Sequence, residues 1–123
     1  MIRAHLLDWQ WGDYAAKHRH RVNLIVHVPA VALFWVGTVG LVCAAINGSL
    51  VELAIAVACL VVSVAAQGRG HSLEAEAPTP FSGAGDLVSR LVVEQWITFP
   101  RFVLSGGWYR AVTSEHPELP QPP

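Results

Sequence analysis

The sequence predicts an all-α protein: a small helical membrane bundle built on a central helical hairpin, with amphipathic helices toward the N- and C-termini. Three observations carry this. Two long apolar runs, Val22–Ile46 and Leu50–Ala66, are separated only by Asn47-Gly48-Ser49. Hydrophobic residues make up 53% of the 123-residue chain and charged residues 14%, against roughly 25% charged in soluble domains. Between Leu87 and Trp108, polar and apolar residues recur at helical spacing. A soluble monomer of this size lacks the charge to coat its surface, so a bilayer or a homo-oligomer interface must take up the excess apolar area. The length allows one domain, residues 1–113, ahead of a polar, Pro-rich tail at 114–123 that reads as disordered.

Met1–Arg21 is polar and aromatic, with Trp9, Trp11 and Tyr14 among Asp8, Asp13 and the basic Lys17, Arg19 and Arg21. A short interfacial helix with its rings at headgroup depth fits this pattern, as does plain packing of the rings on a neighbouring helix. No apolar stretch of signal-peptide type precedes Arg21. Val22–Ile46 is long enough to span a bilayer, which takes about 20 residues. Pro29 within it removes a hydrogen bond to the Ile25 carbonyl, so the helix either kinks there or opens there. Asn47-Gly48-Ser49 is a turn, and Leu50–Ala66 is the return run. Cys43 and Cys59 lie inside these runs and read as small buried hydrophobes.

Gly68, Gly70 and the Pro/Gly-rich Ala77–Gly85 read as a linker, with Asp86 capping a following amphipathic helix over 87–108. On that helix Glu94, Thr98 and Arg101 form a polar face opposite Leu91, Trp96, Phe99 and Phe102, and Pro100 bends it. Lys17, Arg19, Arg21 and Arg69 all fall at the same end of the hairpin, which predicts an integral membrane protein with both termini cytoplasmic, in the inner membrane of a bacterial source. A net charge of −1 argues against nucleic acid. No phosphate loop, serine elbow or Cys-x-x-Cys pair is present.

The histidines point to chemistry. A hairpin turning at Gly48 places His27, 21 residues before the turn, and His71, 23 residues after it, at heights that differ by only ~3 Å. Packed helices lie about 8–10 Å apart, so two inward imidazoles can share a ligand. Two histidines and a carboxylate with open positions are the pattern of non-haem Fe(II) oxygenases. The candidate ligands are His18, His20, His27 and His71, with Glu74 or Glu76 as the carboxylate; Asn23 and Gln67 are candidates to orient the imidazoles. His20, Asn23 and His27 share one helical face, whereas His18 lies about 180° from His27 on a straight helix and needs a bend to join it. His5 and His116, in polar ends, read as solvated flanks, and Glu94 as a surface partner of Arg101 or Lys17.

Tyr14-x3-His18-x4-Asn23-x3-His27-x-Pro29, followed by Gly70-His71 with Glu74 and Pro78, resembles the fungal 2-hydroxypalmitate dioxygenase-like family of small membrane proteins, over roughly Tyr14–Phe81. The stretch from Glu94 to Phe102 resembles a divergent, bacterial-type branch of it. The resemblance implies a multi-helix membrane bundle that binds Fe(II) through His18, His27 and His71, supported by Asn23 and Glu74. It implies a dioxygenase that uses O2 to remove one carbon from 2-hydroxy fatty acids or a related lipid; Arg69 and Arg101 are candidates to hold the substrate carboxylate by a bidentate contact. A structural Zn site and a non-catalytic membrane or oligomeric interaction protein are the competing readings.

Overall fold

The computed structural model describes residues 2–114; the expected tail, and His116 in it, lie outside the described residues apart from Ser114. Among the described residues all regular structure is helical. Helix α1 (Leu6–Gly12) and a 3-10 turn (Ala15–Lys17) lead into α2 (Arg21–Asn47), which α3 (Leu50–His71) follows antiparallel. After an extended loop come α4 (Ala84–Val93), a π-helical turn (Glu94–Thr98), α5 (Phe99–Leu104) and α6 (Gly107–Thr113).

The hairpin turns where the sequence places it. Gly48 is left-handed (φ 57°), and Ser49 accepts from the Glu52 N–H to cap α3. Small residues set how closely the two helices pack. A Cβ on Gly37 would lie 2.7 Å from Leu60 Cγ and 3.1 Å from the Ala56 carbonyl, so a side chain there would have to displace Leu60. Helix α2 starts at Arg21 and continues through Pro29, so the proline does not open it. Helix α3 runs five residues beyond Ala66, taking in Gly68 and Gly70, which were expected in a linker. Gly70 abuts Asn23 with no room for a side chain. This contact lets the end of α3 meet the start of α2.

Both long helices are long and apolar enough to cross a membrane, with mean hydropathies of 2.1 and 2.3 over their best windows. At ~1.5 Å per residue they reach about 40 and 33 Å, against a hydrocarbon core of about 30 Å. Only 28% and 17% of those windows is buried within the chain. Val36, Val39, Ile55 and Val61, each more than half exposed, show how apolar the outer surface is. Cys43 is exposed and Cys59 half-buried, both as free thiols, which corrects their expected burial: they sit on this outward surface.

The remaining segments pack around the end of the hairpin away from its turn. Tyr14, Leu24, Val31, Phe99 and Phe102 form the buried core there, with Trp11 and Trp108 against it. Trp108 Nε1 donates to the Leu24 carbonyl at 2.8 Å, and Arg21 donates to the Val112 and Ser114 carbonyls. The expected 87–108 helix runs without a gap from Ala84 through the π-turn to Leu104 and ends there, before α6. The extra residue of the π-turn rotates its faces. Phe99 and Phe102 are buried and Arg101 is exposed, as expected, but Thr98 is buried and Trp96 is 44% exposed, the reverse of their expected sides.

Candidate metal centre

Four side chains from four separate segments converge in the core at this end: His18, His27, His71 and Glu94. One candidate ligand atom from each lies within 4.8 Å of all the others. The ring centroids of His18–His27, His18–His71 and His27–His71 are 4.9, 4.7 and 5.0 Å apart, with rings nearly perpendicular. Glu94 Oε1 is 3.6 Å from Nε2 of both His18 and His27. Ligands of one tetrahedral ion with ~2.1 Å bonds are about 3.4 Å apart.

Each histidine is placed by its backbone. His18 follows the 3-10 turn in an extended conformation (φ −133°, ψ 67°), and this break in helicity brings it round to His27. Its Nδ1–H donates to the Tyr14 carbonyl at 2.7 Å, and its ring stacks on Tyr14 at 3.8 Å. His27, fully buried on α2, donates Nδ1–H to the Asn23 carbonyl at 3.0 Å. Each of these bonds fixes the tautomer, so that Nε2 carries a lone pair toward the cluster. His71 is the last residue of α3. Nε2 of His18, Nε2 of His27 and Nδ1 of His71 are all buried without a hydrogen-bond partner. Leaving a buried polar atom unsatisfied costs about 1–3 kcal/mol. Two orphan Nε2 atoms 3.6 Å from a carboxylate, with a nitrogen of His71 within 4.8 Å of both, are a donor set that fits a transition-metal ion.

Glu94 opens the π-turn, a helical irregularity concentrated at functional sites. Trp35 Nε1 donates to the Gln95 carbonyl at 2.7 Å, and Gln95 exchanges two 2.8 Å hydrogen bonds with Gln67. Gln67 donates in turn to Ser63 Oγ. This chain of buried amides ties the π-turn to α2 and α3. Tyr14 Oη donates to Glu94 Oε1 at 3.2 Å. Burial pushes the Glu94 carboxyl up, but the facing His18 and His27 imidazoles outweigh it and hold the group well below the usual carboxylate range. Burial, and then the Glu94 charge and hydrogen bond, push the Tyr14 phenol well above its ordinary value.

The structure brings together the expected His18, His27 and His71 and supplies a different carboxylate. Glu74 is not in the cluster. Its oxygens accept from the backbone N–H groups of Arg19 and His20 at 2.9–3.0 Å and from Asn23 Nδ2 at 2.6 Å, which caps the start of α2 in trans. Glu76 is exposed. His20 is the N-cap of α2, its Nδ1 accepting from Val22 N–H, and so points elsewhere. The Asn23 side chain donates to Glu74 and not to an imidazole. His27 is held by the Asn23 backbone carbonyl, which any residue would supply, and Gln67 holds the π-turn instead of an imidazole. Arg69 is exposed, and Arg101 lies on the Trp11 ring at 4.0 Å, so neither lines the cluster. Glu94 was missed because helical spacing groups it with Arg101 on an outer polar face. The signal for it was its spacing of four from Arg90 and eight from Asp86, which the structure buries on the inner face of α4. No family model, curated protein or solved structure matches this chain.

Proposed function

We propose that this chain is a membrane-embedded non-haem iron protein, a dioxygenase acting on a 2-hydroxy fatty acid or a related lipid. The observation that carries the reading is the pair of fixed tautomers at His18 and His27, which aim two unpartnered Nε2 atoms at Glu94. His18, His27, His71 and Glu94 would hold the ion. When bound, Fe(II) supplies O2 activation and a Lewis-acidic anchor for a carboxylate and adjacent hydroxyl. Glu94 offsets the ion's charge in a buried site, and Tyr14 holds a proton at Oη against Glu94 Oε1. The stacked Tyr14 ring and Phe99, 5.8 Å from His27, exclude water from two sides. The basic residues Lys17, Arg19, Arg21 and Arg69 favour a cytoplasmic placement of this end of the hairpin.

A structural zinc site is the second reading, and the number of donors favours it: three imidazoles and one carboxylate complete a closed tetrahedron. Metal analysis of anaerobically purified protein, with O2 consumption on 2-hydroxy acids, separates the two. Iron with substrate-dependent O2 uptake supports the oxygenase. Tightly held zinc without uptake supports the structural site. Protein that takes up no metal even after reconstitution leaves the non-catalytic interaction protein.

A further inference from the structure

We infer that an apolar cavity beside the cluster holds the alkyl tail of a single-chain amphiphile whose polar head lies against His71 and Glu94. The assignment of the head rests on the metal reading above; that of the tail rests on the cavity. The cavity has a volume of about 430 Å3, within the ~300–1,000 Å3 of small-molecule sites. His71 and Glu94 line its inner end, and Gly68 of α3 and Leu87 and Leu91 of α4 form its walls. Val64 and Phe81, 36% and 48% exposed, stand at the surface. Val64 belongs to a helix long and apolar enough to span a bilayer, so a lipid can reach the cavity from the membrane side.

Two other openings among the described residues do not suit such a ligand. A cavity of about 470 Å3 between Trp11 and Arg110 touches none of the four donors. One of about 50 Å3 reaches His18, His71 and Glu94 from the side of Lys17, with room for water-sized molecules only. The cation in the apolar cavity's wall, Arg90, is committed to Asp86 and to the Thr79 and Pro80 carbonyls. It clamps the loop under Phe81, whose ring it covers at 4.2 Å. The head group must therefore be recognised by the cluster and not by a free cation.

Gly68 makes the inference testable, because a Cβ there meets nothing within 4 Å. Gly68→Phe fills the cavity without displacing backbone, and Val57→Phe, on the exposed side of α3, controls for added bulk. Binding of radiolabelled 2-hydroxypalmitate and 2-hydroxyoctanoate to the full chain in nanodiscs is measured beside metal content. The expected result is parental metal content and a loss of about tenfold or more in 2-hydroxypalmitate affinity for Gly68→Phe, with 2-hydroxyoctanoate affected less and Val57→Phe unchanged. Parental 2-hydroxypalmitate affinity in Gly68→Phe, or a parent that binds neither acid, overturns the cavity assignment. A parent that binds 2-hydroxypalmitate without metal, and loses it in Gly68→Phe, upholds the tail site while the iron reading fails.

Discussion

His27 and His71 face each other with ring centroids 5.0 Å apart, one from the first third of α2 and one from the last residue of α3. The hairpin alone produces this pairing, since the two residues lie at nearly equal distances from Gly48. His18 completes the group only because its own segment departs from regular helix, and Glu94 because it continues the inward row of Asp86 and Arg90 on α4.

Glu94 and Glu74 make a discriminating pair. Glu94→Gln keeps the shape of the side chain but removes the charge, so metal affinity is expected to fall by at least about tenfold. Glu74→Ala removes a cap from the start of α2, and is expected to cost about 0.5–2 kcal/mol of stability while the folded protein keeps its metal. Metal titration and thermal melts of both variants check this.

Gly70 is predicted to be intolerant of any side chain. Gly70→Ala drives a Cβ into the Asn23 amide, which must shift and lose its hydrogen bond to Glu74, at a cost of about 1–3 kcal/mol. Thermal unfolding in detergent reads the loss. The same substitution at Gly68, where space is open, is expected to be neutral or slightly stabilising because alanine favours helix.

The Gln67–Gln95 pair holds the π-turn. Gln95→Leu or Gln67→Leu leaves a buried amide unpaired and is expected to cost about 1–3 kcal/mol. The double variant is expected to cost less than the sum, because neither orphan then remains. A double-mutant cycle on stability, with metal content measured alongside, reports whether the turn positions Glu94.

Acid is expected to loosen α4 from the N-terminal segment through Asp86. The Ser82 N–H bond and the Arg90 and Arg3 charges, opposed by burial, hold its carboxyl below the ordinary value. A depressed folded value means that the stabilisation is fully present above the unfolded pKa of about 3.9. It is lost as pH falls through the lower, folded value. Asp86→Asn is expected to flatten this part of the pH–stability profile, measured by thermal midpoints from neutral pH to pH 3.

The hairpin, its turn and its membrane-compatible length were legible because periodicity, a turn triplet and hydropathy are local properties. His27 and His71 were legible because equal spacing from a turn is simple helical geometry. The end of α3 was not, since Gly68 and Gly70 read as breakers until Gly70's contact with Asn23 explains why the helix keeps it. Glu74 was misread because its role, capping α2 from across the bundle, is a tertiary contact. Glu94 was hidden because helical spacing groups it with Thr98 and Arg101 on one polar face. It instead continues the inward row of Asp86 and Arg90 on α4, and the π-turn that begins at Glu94 changes the register only of the residues after it.

The central claim is that His18, His27, His71 and Glu94 bind one metal ion. Metal analysis of anaerobically purified protein beside a His71→Ala variant tests it most directly. The account predicts close to one iron per chain in the parent, lost in the variant while the helical content is retained. No metal in either protein after Fe(II) reconstitution, or equal metal in both, would contradict it.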